Sequence, residues 1–382
     1  MPDFLIVCAT AACLIWFWLL LSHHGFWRAD QRLQIDLADQ STWPSVVAVI
    51  PARNEADVIA TTMTSLAKQE YPGVFEILVV DDHSDDGTAD IVRNAVDGNR
   101  LTVLDAPPLQ QGWTGKLAAM NYGVEQARGL FPEHSYVLFT DADIAHPPDA
   151  VRQLVWKAQA ENKNLVSLMV RLHCERFWER LLIPAFVFFF QKLFPFPAVN
   201  DDHSPIAAAA GGVMLTRRSA LEAAGGLSPI HDNLIDDCAL AALIKGNAGA
   251  IWLGLADHAY SVRPYNSLPD IWRMVARTAY TQLDYAPLKL FGAILGMALL
   301  YLAGPLIFIL APVHNSATAS SLGLLIWILM ACAYAPTIIY YRQPVLLAAS
   351  LPLAGFLYTL MTFDSARRHW QRKRGLWKGR TY

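Results

Sequence analysis

Four long apolar stretches constrain the fold of this chain more than any other feature of its sequence. The first, residues 4–21, contains no charged side chain and is long enough to cross the hydrocarbon core of a bilayer. Three more lie in the last third of the chain, at about residues 290–310, 322–341 and 345–363. A chain with apolar segments at both ends is predicted to hold the residues between them at a membrane surface, so the lipid bilayer is an expected partner.

The N-terminal stretch is predicted to be a retained transmembrane anchor at residues 1–26. A cleaved signal peptide is the alternative, but no Lys or Arg precedes the apolar run and no small-residue cleavage site follows it. Trp16, Trp18 and Trp27 instead fit the belt of aromatic residues that membrane proteins place at the interface.

The C-terminal apolar region, residues 286–363, is predicted to contain two to three transmembrane helices. Its third segment has Pro352 and Gly355 near the middle, so a re-entrant hairpin is an alternative to a full span. The tail at residues 364–382 is strongly basic, which predicts a cytoplasmic location by the positive-inside rule. If the region between the anchors is also cytoplasmic, one of the three segments is expected not to cross fully.

A further apolar segment at residues 181–199 is interrupted by three prolines and by Lys192. These interruptions favour an amphipathic or re-entrant element in the membrane interface over a span, and we assign it to residues 178–199. A buried core helix is the alternative interpretation.

Residues 44–265 alternate short β-type runs with helical stretches. This alternation predicts an α/β fold with a mostly parallel sheet and helices on both faces. Four strands are predicted in the stretches SVVAVIPARNE, EILVVDDHSDDGT, LTVLDAP and SYVLFTDAD, with helices at residues 56–69, 88–96 and 115–126 between them. Sheets of this kind bind ligands at the carboxyl ends of their strands.

Acidic residues follow three of the four predicted strands. Glu55 follows the first, Asp81 and Asp82 follow the second, and Asp141 and Asp143 follow the fourth. A single Asp at a strand end commonly caps a helix, but three such ends together predict an acidic cluster at one edge of the sheet. The alternate spacing of Asp141 and Asp143 can aim both carboxylates the same way. Because Mg²⁺ takes carboxylate and phosphate oxygens together, the pair predicts a divalent metal, Mg²⁺ or Mn²⁺, that holds a nucleotide diphosphate.

Composition and motifs argue against several other functions. The formal net charge of -3 gives no indication of a nucleic-acid partner. The five cysteines are scattered, without the spacing of zinc ligands or of a disulfide framework. No G-x-G-x-x-G motif follows the first strand, and Leu117 stands where a P-loop requires Ser or Thr.

Five motifs, in their order and spacing, resemble those of family 2 glycosyltransferases with the GT-A fold. They are VIPARNE, VVDDHSDDGT, GWTGKLAAMNYG, TDAD and IDDCALA, and together they extend over about 220 residues. The stretches LLIPAFVFFFQ and AAAAGG and the ending WKGRTY resemble most closely the membrane-bound, hopene-associated members. The resemblance implies a Rossmann-like GT-A domain at residues 44–265 and an inverting hexosyl transfer from a nucleotide sugar, expected to be a UDP-sugar.

The resemblance also implies roles for individual residues. Asp237 resembles the catalytic base, although two acids that open a helix also favour its dipole. Asp143 and Asp141 resemble the metal and diphosphate site, with Asp143 as the main ligand. The positions that resemble nucleotide-sugar contacts are Pro51, Glu55, Asp81 and Asp82 for the base and ribose, Lys116 near the nucleotide, Gly211 and Gly212 beneath the donor sugar, and Asp236 beside Asp237. His146, close behind the acidic pair, is expected to take no part.

One departure from the family concerns a Q-x-x-R-W motif that polymer-forming members carry on an interfacial helix. The corresponding residues here lie on a predicted amphipathic helix at 266–285, where only Arg277 of the motif remains. Arg273 and Arg277 are one helical turn apart and are expected either to reach diphosphate or lipid phosphates or to form a solvated basic face. The loss of the motif favours transfer of a single sugar.

The sequence therefore predicts a multi-pass protein of a bacterial-type inner membrane, with its catalytic domain in the cytoplasm. Anchors at both ends favour a lipid acceptor with a hydroxyl group, and the resemblance implies a hopanoid or related polyprenoid. Two alternatives stay open. One is a polyprenyl-phosphate sugar synthase, which uses a lipid phosphate as acceptor, and the other is a non-catalytic membrane protein.

Overall fold

The computed structural model describes residues 2–33, 42–95, 100–371, 376–377 and 380–381. Their contacts divide the chain into two compact units. The helical unit contains the described residues of 1–29, 174–197 and 265–375, and the sheet unit contains those of 30–173, 198–264 and 376–382.

The sheet unit is built on eight strands, whose bounds are β1 Val46–Ala52, β2 Phe75–Asp81, β3 Leu101–Asp105, β4 Tyr136–Thr140, β5 Ile144–Ala145, β6 Leu165–Arg171, β7 Val213–Arg217 and β8 Ile251–Ser261. Their order across the sheet is β3-β2-β1-β4-β7-β6-β8-β5. The strands β1, β2, β3 and β4 run parallel to one another, and β6 runs parallel to β8. Because β7 runs antiparallel to both β4 and β6, the sheet is mixed.

The helices of this unit are α2 Ile59–Ala67, α3 Thr88–Ala95, α4 Gly115–Leu130, α5 Ala150–Ala160, α8 Arg218–Ala223 and α9 Asp236–Gly246. Strands β1 and β4 are buried along their whole length, which explains their nearly continuous apolar sequences. One core joins these strands to the apolar faces of α2 and α5. The predicted strands and helices thus exist within a few residues of their predicted bounds, whereas β5 to β8 were not predicted.

Among its described residues, the helical unit contains four helices that are long and apolar enough to cross a membrane, at Asp3–Ser22, Pro287–Ile309, Ala317–Tyr340 and Val345–Trp370. The first candidate is α1 Pro2–Ser22, and the second contains both α11 Pro287–Met297 and α12 Gly304–Ile309. The third is α14 Ala317–Tyr340, and the fourth contains α15 Leu351–Trp370. The short helix α13 Ala311–His314 lies between α12 and α14. One N-terminal and three C-terminal candidates match the predicted number of transmembrane helices.

The third C-terminal candidate is one helical segment and not a re-entrant hairpin. Pro352 lies in the first turn of α15, where its missing N–H would have no helical partner in any case. Gly355 allows α15 to approach Tyr301 closely, since a Cβ atom at this glycine would lie 2.8 Å from Tyr301 Cβ. The orientation of the segment relative to a bilayer stays a prediction.

The interrupted apolar segment forms α6 Phe177–Leu193, followed by α7 Phe196–Asn200. Most of α6 is buried, and it packs against α14 and α15. We predicted this segment as an interfacial part of the catalytic region, but its contacts place Cys174–Pro197 in the helical unit. Pro184 lies inside the helix, as is tolerated where neighbouring helices surround a proline-containing helix.

Two glycines bring α12 and α14 together. A Cβ atom at Gly323 would lie 2.6 Å from the carbonyl oxygen of Gly304, and one at Gly304 would lie 2.7 Å from Ile326 Cγ2. Small residues at such crossings allow helix backbones to approach closely in membranes.

Gly323→Ala is therefore expected to destabilise the helical unit by about 1–3 kcal/mol, the usual cost of overpacking. Gly292→Ala on α11 is a matched control, because a Cβ atom there meets nothing within 4 Å. Thermal unfolding in detergent should give a lower midpoint for the Gly323 variant than for the Gly292 variant. Equal midpoints would contradict the close crossing.

Candidate active site

Lys116 lies among the acidic side chains of Asp141, Asp143, Asp236 and Asp237, which form the acidic cluster of the sheet unit. It stands in the first turn of α4, and its Nζ lies 2.9 Å from Asp141 Oδ1 and 3.0 Å from Asp236 Oδ2. Burial opposes the charge on this amine, but the carboxylates of Asp141 and Asp236 outweigh burial and raise the pKa of Lys116. The lysine therefore stays charged and joins the acidic segment after β4 to the start of α9.

Asp237 is held by two backbone amides. Gly211 N donates to its Oδ2 over 2.8 Å, and Cys238 N donates to its Oδ1 over 2.7 Å. Burial and the neighbouring Asp236 raise the pKa of Asp237 to about 6, against the opposing effects of Lys116 and of the two amides. A carboxylate with this pKa is suited to accept a proton near neutral pH.

The glycine pair after the AAAA run faces two different environments. A Cβ atom at Gly211 would lie 3.3 Å from Lys116 Nζ and 3.5 Å from Asp237 Oδ2, so Gly211 borders the acidic cluster. A Cβ atom at Gly212 would lie 3.0 Å from Val170 Cγ2, within the apolar core. Gly211 is thus beside Lys116, predicted to lie near the nucleotide, and Asp237, the predicted base, whereas the predicted role of Gly212 beneath the sugar has no direct geometric support.

Arg263 pairs with the second carboxylate of the D-A-D segment, and sequence analysis missed it. Its Nε lies 3.0 Å from Asp143 Oδ2, and its guanidinium also binds Glu55. Ser261 Oγ donates to the same Asp143 oxygen over 3.2 Å. Burial opposes the charge on Arg263, but Glu55 and Asp143 raise its pKa. The sequence feature that could have indicated this role is the position of Arg263, two residues after the end of β8.

The Asp81–Asp82 pair ends β2 and is buried beside the loop that follows β1. Asp81 accepts hydrogen bonds from Ser84 N and Ser84 Oγ, at 3.1 and 2.5 Å. Arg53 binds the backbone carbonyl of Asp82 and lies 3.8 Å from its carboxylate. This loop therefore has a defined shape, and its predicted contacts with a base and ribose stay a prediction.

Two other predicted residues make no described contact with Lys116, Asp141, Asp236 or Asp237. Pro51 is buried within β1, so its side chain belongs to the core of the sheet. Arg277 is exposed on α10 Leu268–Thr278, in the helical unit, and Arg273 is exposed one turn earlier on the same helix. Arg273 pairs with Asp270. The phosphate-binding role of Arg277 stays a prediction.

The two carboxylates of the D-A-D segment fit a divalent cation that is bound together with phosphate. Burial, Asp143 and Asp236 raise the pKa of Asp141 whereas Lys116 lowers it, as expected where several acidic side chains lie close together. Among the described residues, no group of three His, Cys, Asp or Glu side chains could hold a metal alone. Mg²⁺ commonly takes one or two protein carboxylates and completes its shell with phosphate oxygens and water, so Asp141 and Asp143 form a suitable donor set.

A comparison with protein families identifies the type of domain that contains Lys116, Asp141, Asp143 and Gly211, whereas Asp236, Asp237 and Arg263 lie beyond the matched residues. Residues 47–225 match the model for glycosyl transferase family 2. The structure is similar to that of the mannosyltransferase PcManGT from Pyrobaculum calidifontis in complex with GDP-Man and Mn²⁺, with a TM-score of 0.58 and 20% sequence identity. This similarity covers 93% of this chain and 99% of the other and shows a shared fold.

Two groups of curated relatives are similar to part of the chain. A 4,4'-diaponeurosporenoate glycosyltransferase from Staphylococcus aureus is 29% identical over 51% of this chain and 50% of its own length. An undecaprenyl-phosphate 4-deoxy-4-formamido-L-arabinose transferase from Pseudomonas aeruginosa is 31% identical over 35% of this chain and 38% of its own length. The chain thus matches half or less of each relative, and residues 47–225 form a domain of the glycosyl transferase family 2 type, on a GT-A fold, in a chain that also has four apolar helices.

Proposed function

We propose that this protein is an inverting, metal-dependent glycosyltransferase that moves a sugar from a nucleotide sugar to a hydroxyl group of a membrane lipid. The observation that carries the proposal is Asp237, a carboxylate whose pKa is raised to about 6 and which two backbone amides hold beside Lys116. A base of this kind is what a hydroxyl acceptor requires, since the hydroxyl must lose its proton as it attacks.

In the proposed reaction, Asp237 accepts the proton of the acceptor hydroxyl. The hydroxyl oxygen forms a bond to the anomeric carbon while the bond from that carbon to the diphosphate breaks, and attack and departure on opposite faces invert the configuration. A divalent cation held by Asp143 and Asp141 would neutralise charge that develops on the diphosphate. Lys116 keeps Asp141 and Asp236 in fixed positions through its two ion pairs.

A membrane lipid acceptor is supported by the four apolar helices and by the substrates for which the relatives are named. One relative is named for diaponeurosporenoate and the other for undecaprenyl phosphate, which are both apolar chains with a polar end. The donor is proposed to be a UDP-sugar, on the resemblance of the motifs alone. A hopanoid or related polyprenoid is the proposed acceptor class, on the same basis.

A lipid phosphate is the second candidate acceptor, and the undecaprenyl-phosphate transferase among the relatives favours it. A phosphate oxygen is already ionised at neutral pH and needs no base to attack the anomeric carbon. The two candidates therefore differ in their dependence on Asp237, which the corresponding Asn variant measures.

The test of the proposed function is transfer by the purified full chain in detergent. The protein is incubated with Mg²⁺ or Mn²⁺, a panel of UDP- and GDP-sugars and extracted membrane lipids, and mass spectrometry detects lipids that gain one hexose. Glycolipid formation supports the proposal. A folded sample that neither binds nor consumes any nucleotide sugar would favour the non-catalytic alternative.

The raised pKa of Asp237 predicts the acid limb of the pH profile. Because the base must be ionised, kcat/KM is expected to fall about tenfold per pH unit below a midpoint of about 6. An Asp with its ordinary value of 3.8 would keep its activity to about pH 4. Thermal unfolding across the same pH range controls for loss of folded protein, and a midpoint near 4 would contradict the assignment.

A further inference from the structure

The hydroxyl group of Thr140 bridges two segments of the candidate site. Thr140 is the last residue of β4 and directly precedes the D-A-D segment, and its side chain is almost completely buried. Its Oγ1 donates to the carbonyl oxygen of Gly212 over 2.8 Å. The same oxygen lies 3.0 Å from Nε2 of His146, which follows the D-A-D segment.

These two contacts determine the tautomer of His146. A threonine hydroxyl has a single proton, and here that proton goes to Gly212. The hydroxyl oxygen can then only accept from His146, so Nε2 carries the hydrogen. Burial lowers the pKa of His146 to about 4, so the ring is neutral at physiological pH and Nε2–H is its donor.

The hydrogen bonds connect the proposed metal segment to the proposed base. The chain of donors runs from His146 to Thr140 and on to the carbonyl of Gly212, whose neighbour Gly211 donates its N–H to Asp237. Since His146 and Thr140 flank the D-A-D segment, both ends of that segment are tied to the glycine pair.

Helix α2 fixes the same segment from its other side. Thr62 Oγ1 donates to the carbonyl oxygen of Ala142, the residue between the two carboxylates, over 2.8 Å. His146 N donates to Ser65 Oγ over 3.1 Å. The D-A-D segment is therefore held at its centre by α2 and at its ends by the Thr140–His146 pair.

We infer that Thr140 and His146 are positioning residues that set the placement of the D-A-D segment relative to Asp237 through the carbonyl of Gly212. This inference rests on the proposed function, because it assigns the two ends of that connection to the diphosphate and to the base. It also revises the expectation that His146 takes no part.

Such a connection matters because single displacement requires the base and the leaving diphosphate to lie on opposite sides of one carbon atom. A shift of about 1 Å in either group costs on the order of 100-fold in rate. Neither Thr140 nor His146 needs to touch the sugar for this effect.

Thr140→Val tests the inference because it removes the bridging hydroxyl and preserves the shape of the side chain. Thr140→Ser is the conservative variant, since it keeps the hydroxyl. Thr216→Val is the matched control, because Thr216 is a fully buried threonine on the adjacent strand β7, and its hydroxyl has no hydrogen-bond partner among the described residues. His146→Leu and His146→Gln form a second pair, in which only Gln retains an N–H donor.

For Thr140→Val we expect a fall in kcat on the order of 10- to 100-fold with KM for the nucleotide sugar changed little, the result of misplacement and not of lost binding. Isothermal titration with Mn²⁺ and the nucleoside diphosphate should give a Kd within about threefold of wild type, because the D-A-D carboxylates are unchanged. Thr140→Ser should recover most of kcat, and Thr216→Val should equal wild type. His146→Leu should resemble Thr140→Val, and His146→Gln should be the more active of its pair.

Several results would overturn the inference. Thr140→Val could equal Thr216→Val in kcat, the Ser and Val variants could be equally impaired, or the Val variant could lose nucleotide binding as its main defect. If Thr140→Val does not fold, the two His146 variants decide, and equal kcat values for them would overturn the inference. Inactive wild-type protein would instead refute the proposed function, and the inference with it.

Discussion

Asp237→Asn is expected to reduce transfer to a lipid hydroxyl by about 10²–10⁴-fold, the usual contribution of a positioned general base. Asn has nearly the same shape as Asp, but it cannot accept the proton of the acceptor. The effect should appear in kcat, because Asp237 acts on the acceptor while the donor is already bound.

The structure also defines what the Asn variant leaves intact. Lys116 keeps its ion pairs with Asp141 and Asp236, so the charged centre of the cluster persists. The amide can accept a hydrogen bond through one oxygen only, so the N–H of either Gly211 or Cys238 loses its acceptor. Thermal unfolding and nucleotide binding must therefore be measured with the kinetics.

Asp232→Asn is a suitable control, because Asp232 is an exposed aspartate five residues before Asp237. It should transfer sugar at the wild-type rate. If Asp237→Asn also keeps the wild-type rate while it remains folded, the hydroxyl acceptor is wrong, and the lipid-phosphate alternative gains support. The measurement thus separates the two candidate acceptors as well as testing the base.

Local sequence patterns predicted the acidic cluster because parallel strands end at one edge of a sheet. Asp141 and Asp143 could be placed near that edge once β4 was recognised. Asp237, which lies about a hundred residues later, could be joined to them only through the resemblance to a family. In the structure, Lys116 pairs with both Asp141 and Asp236, the residue before Asp237, and Gly211 N donates to Asp237 itself.

Arg263 could not be predicted in the same way. It lies 120 residues from Asp143 and follows β8, a strand whose sequence IWLGLADHAYS lacks a regular alternation of polar and apolar residues. The burial of α6 was missed for a related reason. Its proline at position 184 and its lysine at position 192 favoured an interfacial element over the buried core helix that was the alternative, whereas the helix packs against α14 and α15 and Lys192 donates to Tyr301 Oη.

The role inferred for His146 illustrates a third limit of sequence analysis. Nothing in the stretch TDADIAH distinguishes a histidine in a loop from one that donates to a buried threonine. The distinction depends on the pairing of β4 with β7, which brings Thr140 opposite Val213 and therefore close to Gly212. A tertiary contact of this kind has no local signature.

Asp143→Asn is expected to raise the Mn²⁺ concentration for half-maximal transfer by at least about 100-fold, since loss of an outer-shell partner alone costs 10–100-fold. The substitution removes the charge of the proposed main metal ligand and leaves an oxygen of similar position. Chelation of divalent cations should abolish transfer by the wild-type protein, and added Mn²⁺ should restore it.

Arg263, the ion-pair partner of Asp143, determines which structural effects of the substitution must be controlled for. The guanidinium would lose its partner at Asp143 but would still bind Glu55, so the loop after β1 should keep its position. Asp257→Asn is the control for loss of an acid–arginine pair, because Asp257 pairs with Arg32 at 2.8 Å and lies in the same unit. It should leave the Mn²⁺ requirement unchanged.

Titration of Mn²⁺ in the presence of a nucleoside diphosphate, followed by electron paramagnetic resonance, measures the loss of metal binding without reference to activity. Weaker Mn²⁺ binding together with a raised Mn²⁺ requirement in transfer would assign the metal to Asp143. Wild-type binding and transfer by the Asn variant would mean that Asp143 serves only to hold Arg263 and Ser261. If chelation also left transfer by the wild-type protein intact, the proposed metal dependence would be wrong, and not only the assignment of Asp143 as the metal ligand.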